Sequence, residues 1–366
     1  MAYLRYYVPN LVVACGVLGF TLGGPWVWLG VATILPMLVV DLIWRDDHAV
    51  RPTMNRAMAD IPLYIHALLM FALWLAFIDW YSNTAVVSLA EGLGAVLSLG
   101  FLGAVPNLPA SHELMHRRNA LAKWLSRILS TFYGDPNRDI GHLHTHHIHF
   151  ATPRDSDTPK RGETIYAFTW RASVGCYRDG YEIEKARLGK KGKPVFALES
   201  RVTSALTLLV VFFTVVFAYC GFGGVVVSAL ALVVAKFFVE AFNYFQHYGL
   251  VRAPGEHYAT RHLWNHLTPA VRAVGFEITN HNDHHMDGYL PYHKLAPNLD
   301  GPQMPSIVLC FLIGLLPPVW HKFFAQPLLR DWDLSLTDET EKSLAIKANR
   351  EAGWPDWLSK DSARAA

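Results

Sequence analysis

Between residues 109 and 158 the chain reads Pro-Ala-Ser-His112-Glu113-Leu-Met-His116 and, after a linker, Gly-His142-Leu-His144-Thr-His146-His147-Ile-His149. Seven of the 18 histidines fall in this window, so the imidazoles are concentrated rather than spread. On a helix, His112 and His116 stand at i and i+4 and share one face. His142 and His146 repeat that interval, with a third imidazole at His147. Two later segments echo it: His247 within Asn243-Tyr-Phe-Gln-His-Tyr-Gly249, and His281-Asn-Asp-His284-His285. Neutral imidazole is the commonest nitrogen ligand of transition metals, so the pattern predicts a metal centre built almost wholly from histidine. Nine residues fit it: His112, His116, His142, His146, His147, His247, His281, His284 and His285. One ion takes about four to six ligands, so nine imidazoles imply two ions.

The other nine histidines have plainer readings. His66, alone in an apolar segment, reads as a packed residue bonded to a backbone carbonyl, and His321 beside Pro317-Pro318 is similar. His257, His262 and His266 fall in a polar loop and read as solvated. His144 and His149 join the ligands only in a shifted register, and His48 and His293 lie outside the boxes. His112-Glu113-Leu-Met-His116 is a literal match to the zinc-protease helix motif. A protease would need one further ligand and would leave six box histidines unexplained. Glu113 is therefore read as a carboxylate that takes the outer N–H of a metal-bound imidazole, a role open also to Glu240, Asn243 and Glu277. Asp139, Asp155 and Asp283 are further candidates, with a surface or helix-cap role equally open for Asp155 and Asp283. No pair of box carboxylates has the Glu-x-x-His pattern of soluble di-iron bundles. A histidine set suits iron, zinc, copper or nickel. A membrane setting without a hydrolytic signature favours a redox metal, iron first.

That setting follows from composition: 52% hydrophobic residues, 17% charged, in long charge-free runs at 7–40 and 202–235 and shorter ones at 61–78 and 92–111. About 20 helical residues span a bilayer core. The expected fold is all-α, a polytopic membrane bundle of about six transmembrane helices near 7–22, 25–44, 61–80, 85–108, 203–220 and 224–246. Gly23-Gly24-Pro25 and Gly221-Phe-Gly-Gly224 break the two long runs into hairpins. One integral-membrane domain would fill residues 1–366. Its histidine-rich region would lie at 109–200 and 247–303, and a soluble tail with one capped helix after Asp338 would lie at 327–366. Residues 304–321, interrupted by Pro305, Pro317 and Pro318, read as membrane-associated or re-entrant. The first segment, despite Val12-Val-Ala-Cys15, reads as an uncleaved span rather than a leader. Arg45, Arg51, Arg56, Arg117, Arg118, Lys123 and Arg127 crowd the loops on the histidine side, whereas the opposite turns carry no Arg or Lys. The positive-inside rule then puts the N-terminus and all boxes in the cytoplasm. Lys236, Glu240, Asn243 and His247 form one polar stripe on an apolar helix, aiming His247 at the common centre. A net charge of +2 without a basic–aromatic run excludes nucleic acid as a partner. Four isolated cysteines exclude a cysteine-held iron–sulfur cluster and a disulfide framework.

The boxes and the Asn243–Gly249 segment resemble the integral-membrane di-iron hydroxylases related to alkane monooxygenase. Within them the chain is most similar to the branch of xylene (toluene) and p-cymene monooxygenase hydroxylase components. Matching stretches also include Arg5-Tyr-Tyr, residues 111–118, Gly134-Asp-Pro-Asn-Arg-Asp139, Asp155-Ser-Asp-Thr158, residues 243–252, 277–285 and Arg330-Asp-Trp-Asp333. One departure from the alkane enzymes is Gly141 before His142, where they carry glutamate. The resemblance implies a cytoplasm-facing pair of iron ions held by the nine histidines, in a multi-pass protein of the bacterial inner membrane. It implies a channel for an apolar aromatic substrate such as toluene, xylene or p-cymene, whose methyl group is hydroxylated with dioxygen to a benzylic alcohol. Electrons would come from a separate NADH-dependent reductase carrying flavin and an iron–sulfur cluster, with Lys185 to Lys193 as a docking or lipid-headgroup face. This chain agrees in having no Gly-x-Gly-x-x-Gly fingerprint and no cysteine cluster; flavin, haem and iron–sulfur are not expected on it. Competing readings are a medium-chain alkane hydroxylase, a membrane fatty-acyl desaturase and, outside catalysis, a metal transporter.

Overall fold

The computed structural model describes residues 2–358. Five apolar helices are long enough to cross a membrane: α1 (Tyr3–Leu22), α2 (Gly24–Ile43), α3 (Arg56–Asn83), α4 (Leu89–Met115) and, after two polar-faced helices α5 (Ala120–Thr131) and α6 (Ile165–Gly189), the 47-residue α7 (Arg201–His247). Their outer faces carry exposed leucines and valines, including Leu11, Leu35, Leu68, Leu75, Val210 and Val233, the inverse of a water-facing surface.

The glycine turns behave as the sequence predicts. Gly23 adopts φ 65°, a left-handed conformation that a side chain resists, and reverses the chain between α1 and α2. Gly16 and Gly30, each seven residues from it, both face Leu102, as the two arms of a hairpin must. Gly221 has nearly the same dihedrals (φ 63°, ψ −165°) and folds α7 in the same way. Phe132 touches Phe212 at 6.2 Å between ring centroids, while Gly134, two residues on, packs on Leu232. A straight helix would separate residues 212 and 232 by ~30 Å. The five apolar helices therefore make six arms, since α7 folds back on itself.

The helices start where capping dictates. Asn55 accepts from Ala57 N–H to open α3, and Ser88 with Glu91 forms a capping box on α4. Helix α4 runs on past an irregular turn at residues 105–106 and so carries His112 beyond the bundle. It can do so because it lies tight against the second arm of α7: a Cβ on Gly100 would sit 2.5 Å from Val234 Cγ1. Residues 304–321 form two short helices, Ile307–Gly314 and Pro317–Trp320, laid along α7, with Phe311 stacked on Phe238 at 4.6 Å.

The C-terminal region differs from expectation. The capping box of Asp338 and Glu341 and the left-handed Gly353 do bound a helix, α9 (Glu339–Ala352), preceded by α8 (Gln326–Ser335). Yet Glu341, Ala345 and Asn349 are buried, because this segment packs on the histidine-bearing loops instead of standing off as a separate tail. Residues 359–366 of that expected tail lie outside the described residues.

Replacing Gly100 by Leu should overpack the α4–α7 seam. Destabilisation of about 1–3 kcal/mol is expected, read as a lower thermal midpoint of the detergent-solubilised protein. An unchanged midpoint would show that the seam is loose.

Candidate metal centre

The nine box histidines converge from four separate segments into two groups. His112, His116, His142, His147 and His284 form one, and His146, His247, His281 and His285 the other. Within each, the facing ring nitrogens lie within 4.8 Å of one another, and both groups are histidine alone. In the first, His142 Nε2 lies 2.8 Å from His112 Nε2 and 3.0 Å from His147 Nε2, and His284 Nε2 lies 3.3 Å from His147 Nε2. In the second, His281 Nε2 lies 2.9 Å from His247 Nε2.

These separations match a coordination sphere. An ion with imidazole nitrogens at ~2.1 Å sets adjacent donors ~3.0–3.4 Å apart and opposite ones ~4.2 Å apart. Protons alone cannot satisfy the cluster. His116 Nε2, His146 Nε2 and both nitrogens of His285 are buried without a partner, and each such orphan costs free energy unless something takes its lone pair. Burial, with the neighbouring rings adding, holds His142, His147, His281, His284 and His285 far below the ordinary histidine value, so these rings are neutral donors. The residues present fit two transition-metal ions, one per group.

A local irregularity sorts the second box between the groups. Residues His142–His146 form a π-helical turn. In such a turn i and i+5 come onto one face. His142 and His147 therefore enter the five-histidine group together, and His146 turns to the other. His144 is exposed and His149 half-buried, and neither belongs to a group.

The ligand-supporting residues are placed less simply. His146 Nδ1 donates to Asp155 Oδ2 at 2.9 Å, which leaves Nε2 as the inward lone pair. Burial alone would lower the His146 pKa, but Asp155 outweighs it and the net direction is upward. Thr158 Oγ1 donates to the same Asp155 oxygen at 2.7 Å. Glu113 is taken by Arg117 (2.6 Å) and the Tyr292 N–H (3.2 Å) rather than by an imidazole. Glu277 binds Arg51 (2.9 Å) and Arg272 (2.6 Å) and accepts from Asn280 Nδ2 (3.1 Å), the residue that opens the His281–Met286 helix. Glu240 pairs with Lys236 (2.6 Å) and Arg138 (3.4 Å), and Asn243 donates to Glu240 and, at 3.5 Å, to Asp157. Asp139 meets Arg127, and Asp283 accepts from the Ala296 N–H.

The polar stripe of α7 is thus the floor of a buried knot of Asp135, Asp157 and Glu240 with Arg138 and Lys236. Three acids face two cations there. Burial lifts Asp157 to about 7, against Arg138 and with Glu240 and Asp155 adding.

Three plain histidines depart from expectation. His262 and His266 are buried, not solvated: His262 Nε2 meets Glu341 at 2.5 Å, and His266 Nδ1 donates to the Pro305 carbonyl at 2.7 Å. Their loop is covered by the C-terminal segment and residues 302–305. His66 sits edge-on to Phe276 rather than on a backbone carbonyl. His257 is exposed, and His321 does reach the Glu163 carbonyl (3.2 Å).

A half-open pocket of about 60 Å³ with a mostly apolar wall is lined by Phe101, Val105, Pro109, Phe238, Phe242 and Phe245 among others, on the helices that lead to His112 and His247. Phe101, Val105, Pro109, His112 and His116 follow at i, i+4, i+8, i+11 and i+15 along α4. One helix face therefore runs from cavity wall to ligand. Trp74 and Phe77, in contrast, are packed in the bundle core.

His146→Ala should bring bound metal from about two ions per chain to about one, and Asp155→Asn should weaken the same site on the order of 10–100-fold. Metal titration of purified protein checks both; equal loss from the two groups would show that they are not separate sites.

The geometry can be set beside known proteins. Residues 87–305 match the family model described as fatty acid desaturase. The chain is 44% identical, over the full length of both, to the xylene/toluene monooxygenase hydroxylase component of Pseudomonas putida. It is 31% identical over 72% of its length to alkane 1-monooxygenase 1 of Pseudomonas aeruginosa, covering 69% of that protein. Against an alkane 1-monooxygenase of Pseudomonas putida the identity is 29%, over 74% of this chain and 67% of that one. The histidine pattern, the bundle of long apolar helices and these likenesses agree, and the chain belongs to the fatty acid desaturase family, on its membrane monooxygenase branch with the xylene/toluene and alkane hydroxylases.

Proposed function

We propose that this protein hydroxylates the methyl group of an alkyl-substituted aromatic hydrocarbon, of the toluene, xylene or p-cymene type, to a benzylic alcohol. The observation that carries the reading is the pairing of two all-histidine groups with an apolar cavity, in a chain 44% identical end to end to a xylene/toluene hydroxylase. The nine histidines hold two iron ions, five imidazoles to one and four to the other. Bound iron supplies the redox chemistry: one dioxygen, two electrons and two protons convert the methyl compound to alcohol and water.

The chain's own residues do the rest. The cavity holds an apolar ring by exclusion, since its lining offers no polar group to recognise one. The α4 face from Phe101 to Pro109 guides the substrate's end toward His112. Asp155 sets the tautomer of His146, and Asp157 ties Arg138 into the knot behind it. Electrons come from a separate NADH-dependent reductase with flavin and an iron–sulfur cluster. The arginine-rich loops lie on the histidine side, which supports a bacterial inner-membrane protein with its N-terminus and metal centre in the cytoplasm.

The test is anaerobic purification, metal analysis, and turnover with a reductase on toluene, p-xylene, p-cymene, octane and a fatty-acyl thioester. About two irons per chain and benzylic alcohols as the main products are expected. Zinc alone, or alkene from the thioester, would overturn the assignment, and preferred attack on octane would move it to the alkane hydroxylases. His284→Ala should cut turnover by at least on the order of 100-fold. His66→Ala, away from both groups, should largely spare it.

A further inference from the structure

The segment Arg330-Asp-Trp-Asp333 lies far along the chain from every histidine box, and nothing above gives it a task. In the structure it is fastened to the loops that carry the four-histidine group. Arg161 is fully buried. Its Nη1 and Nη2 meet the two oxygens of Asp333 at 2.6 and 2.7 Å, Nη1 also donates to Asn349 Oδ1 at 2.8 Å, and Nε donates to the Gly249 carbonyl at 2.9 Å. Asp333 further accepts from Trp357 Nε1 at 2.7 Å. A forked, bidentate pair of this kind fixes orientation as well as position.

Each end of the fork leads to a ligand. Gly249 is two residues after His247, and its N–H returns to the Pro159 carbonyl at 3.2 Å, so the 159–161 and 247–249 segments are locked together. Gly249 has φ +68°, and a Cβ there would meet Leu329 of α8 at 2.5 Å. Just upstream of Pro159, Thr158 holds Asp155, and Asp155 holds His146. A second contact closes the loop beyond His247. Glu341 on α9 takes Arg261 at 2.9 Å and His262 at 2.5 Å, and Trp332 Nε1 donates to the Arg261 carbonyl at 2.6 Å. The five-histidine group hangs instead on α4, on Arg117 with Glu113, and on Tyr292.

We infer that the C-terminal segment is a clamp for the four-histidine group, with Arg161 and Asp333 as positioning residues that set His146 and His247 for metal binding. The clamp touches neither substrate nor metal. It rests on the two-metal reading above, and its effect is selective: loosening it weakens one ion site and leaves the other.

The experiment titrates anaerobic Fe²⁺, and Co²⁺ as a spectroscopic probe, into full-length detergent-solubilised protein. Wild type should take up two ions with two resolvable cobalt signatures. Arg161→Lys keeps the charge but loses the fork, and Asp333→Asn loses one charged acceptor. Both should weaken one of the two ions on the order of 10–100-fold and erase its cobalt signature, while the other ion and the helical circular dichroism stay as in wild type. Trp357→Phe, at the clamp's edge, should shift the same ion in the same direction by less, and serves if the buried variants fail to fold. Two ions at wild-type affinity in every variant, or parallel loss of both from a folded chain, would overturn the clamp. Fewer than two ions in wild type would instead overturn the two-metal reading itself.

Discussion

Nine imidazoles gathered at the end of a membrane bundle, each a neutral donor when it binds metal, impose the condition that the rest of the structure answers. Each ring brings a lone pair and no charge. Two divalent ions would therefore place four positive charges against ligands that supply none. Buried charge is costly unless paired. The compensating carboxylates stand one layer further out: Asp155 on His146, then Asp157, Glu240 and Asp135 around Arg138 and Lys236. The knot alone holds one more acid than cations. An excess of negative charge beside a cationic centre is a sensible resting arrangement, and it explains how a polar stripe on α7 is tolerated at membrane depth.

The histidines at 142–147 and 281–285 come from segments that lack long regular structure, so something other than a long helix must hold them. Arginine does this four times. Arg51 and Arg272 tie the loop after α2 to Glu277, Arg117 ties α4 to Glu113 and Asp60, Arg138 ties the second box to α7, and Arg161 ties the post-box loop to the C-terminal segment. Each guanidinium joins stretches remote in sequence, with several donors in a fixed fork. Such pairs add little net stability when both partners are buried, but removal of one strands the other. Their contribution here is geometrical: they convert loops into a rigid mount for the imidazoles.

The histidine clusters were legible because helical spacing is local. His112 and His116, the box at 142–147 and the box at 281–285 announce themselves by interval, and Gly23 and Gly221 mark the hairpins because glycine alone takes those dihedrals easily. What stayed hidden is long-range. Arg161 meets Asp333 across 172 residues and Arg51 meets Glu277 across 226, distances over which a pattern of residue types carries no signal. His262 and His266 looked solvated because their neighbours are polar, and those neighbours proved to be covered by a C-terminal helix whose own polar composition reads as surface. The π-helical turn escaped for a different reason: the histidine interval fits an α-helix equally well, and only the split between two groups reveals i, i+5 pairing. Glu113 shows the converse error, since its place between two ligands suggested a ring contact that Arg117 takes instead.

The boundary between apolar and ligating residues lies within a single helix face. From Phe101 through Val105 and Pro109 to His112, each step along α4 is one helical turn, and the change from hydrocarbon-like wall to metal donor occurs between two adjacent turns. An apolar guest moving along that face leaves lipid-like surroundings only at the reacting end. It need never be rewetted, which would forfeit ~25 cal/mol for each Å² of apolar surface exposed. The same gradient disfavours a polar or charged headgroup, which would have to be stripped of water to enter a cavity without a partner for it. A compact hydrocarbon with one methyl aimed at the histidines meets both conditions. A wall that recognises by exclusion discriminates by size and polarity and not by named contacts, so the chemistry at its end is open to a set of related alkyl-aromatics rather than to one.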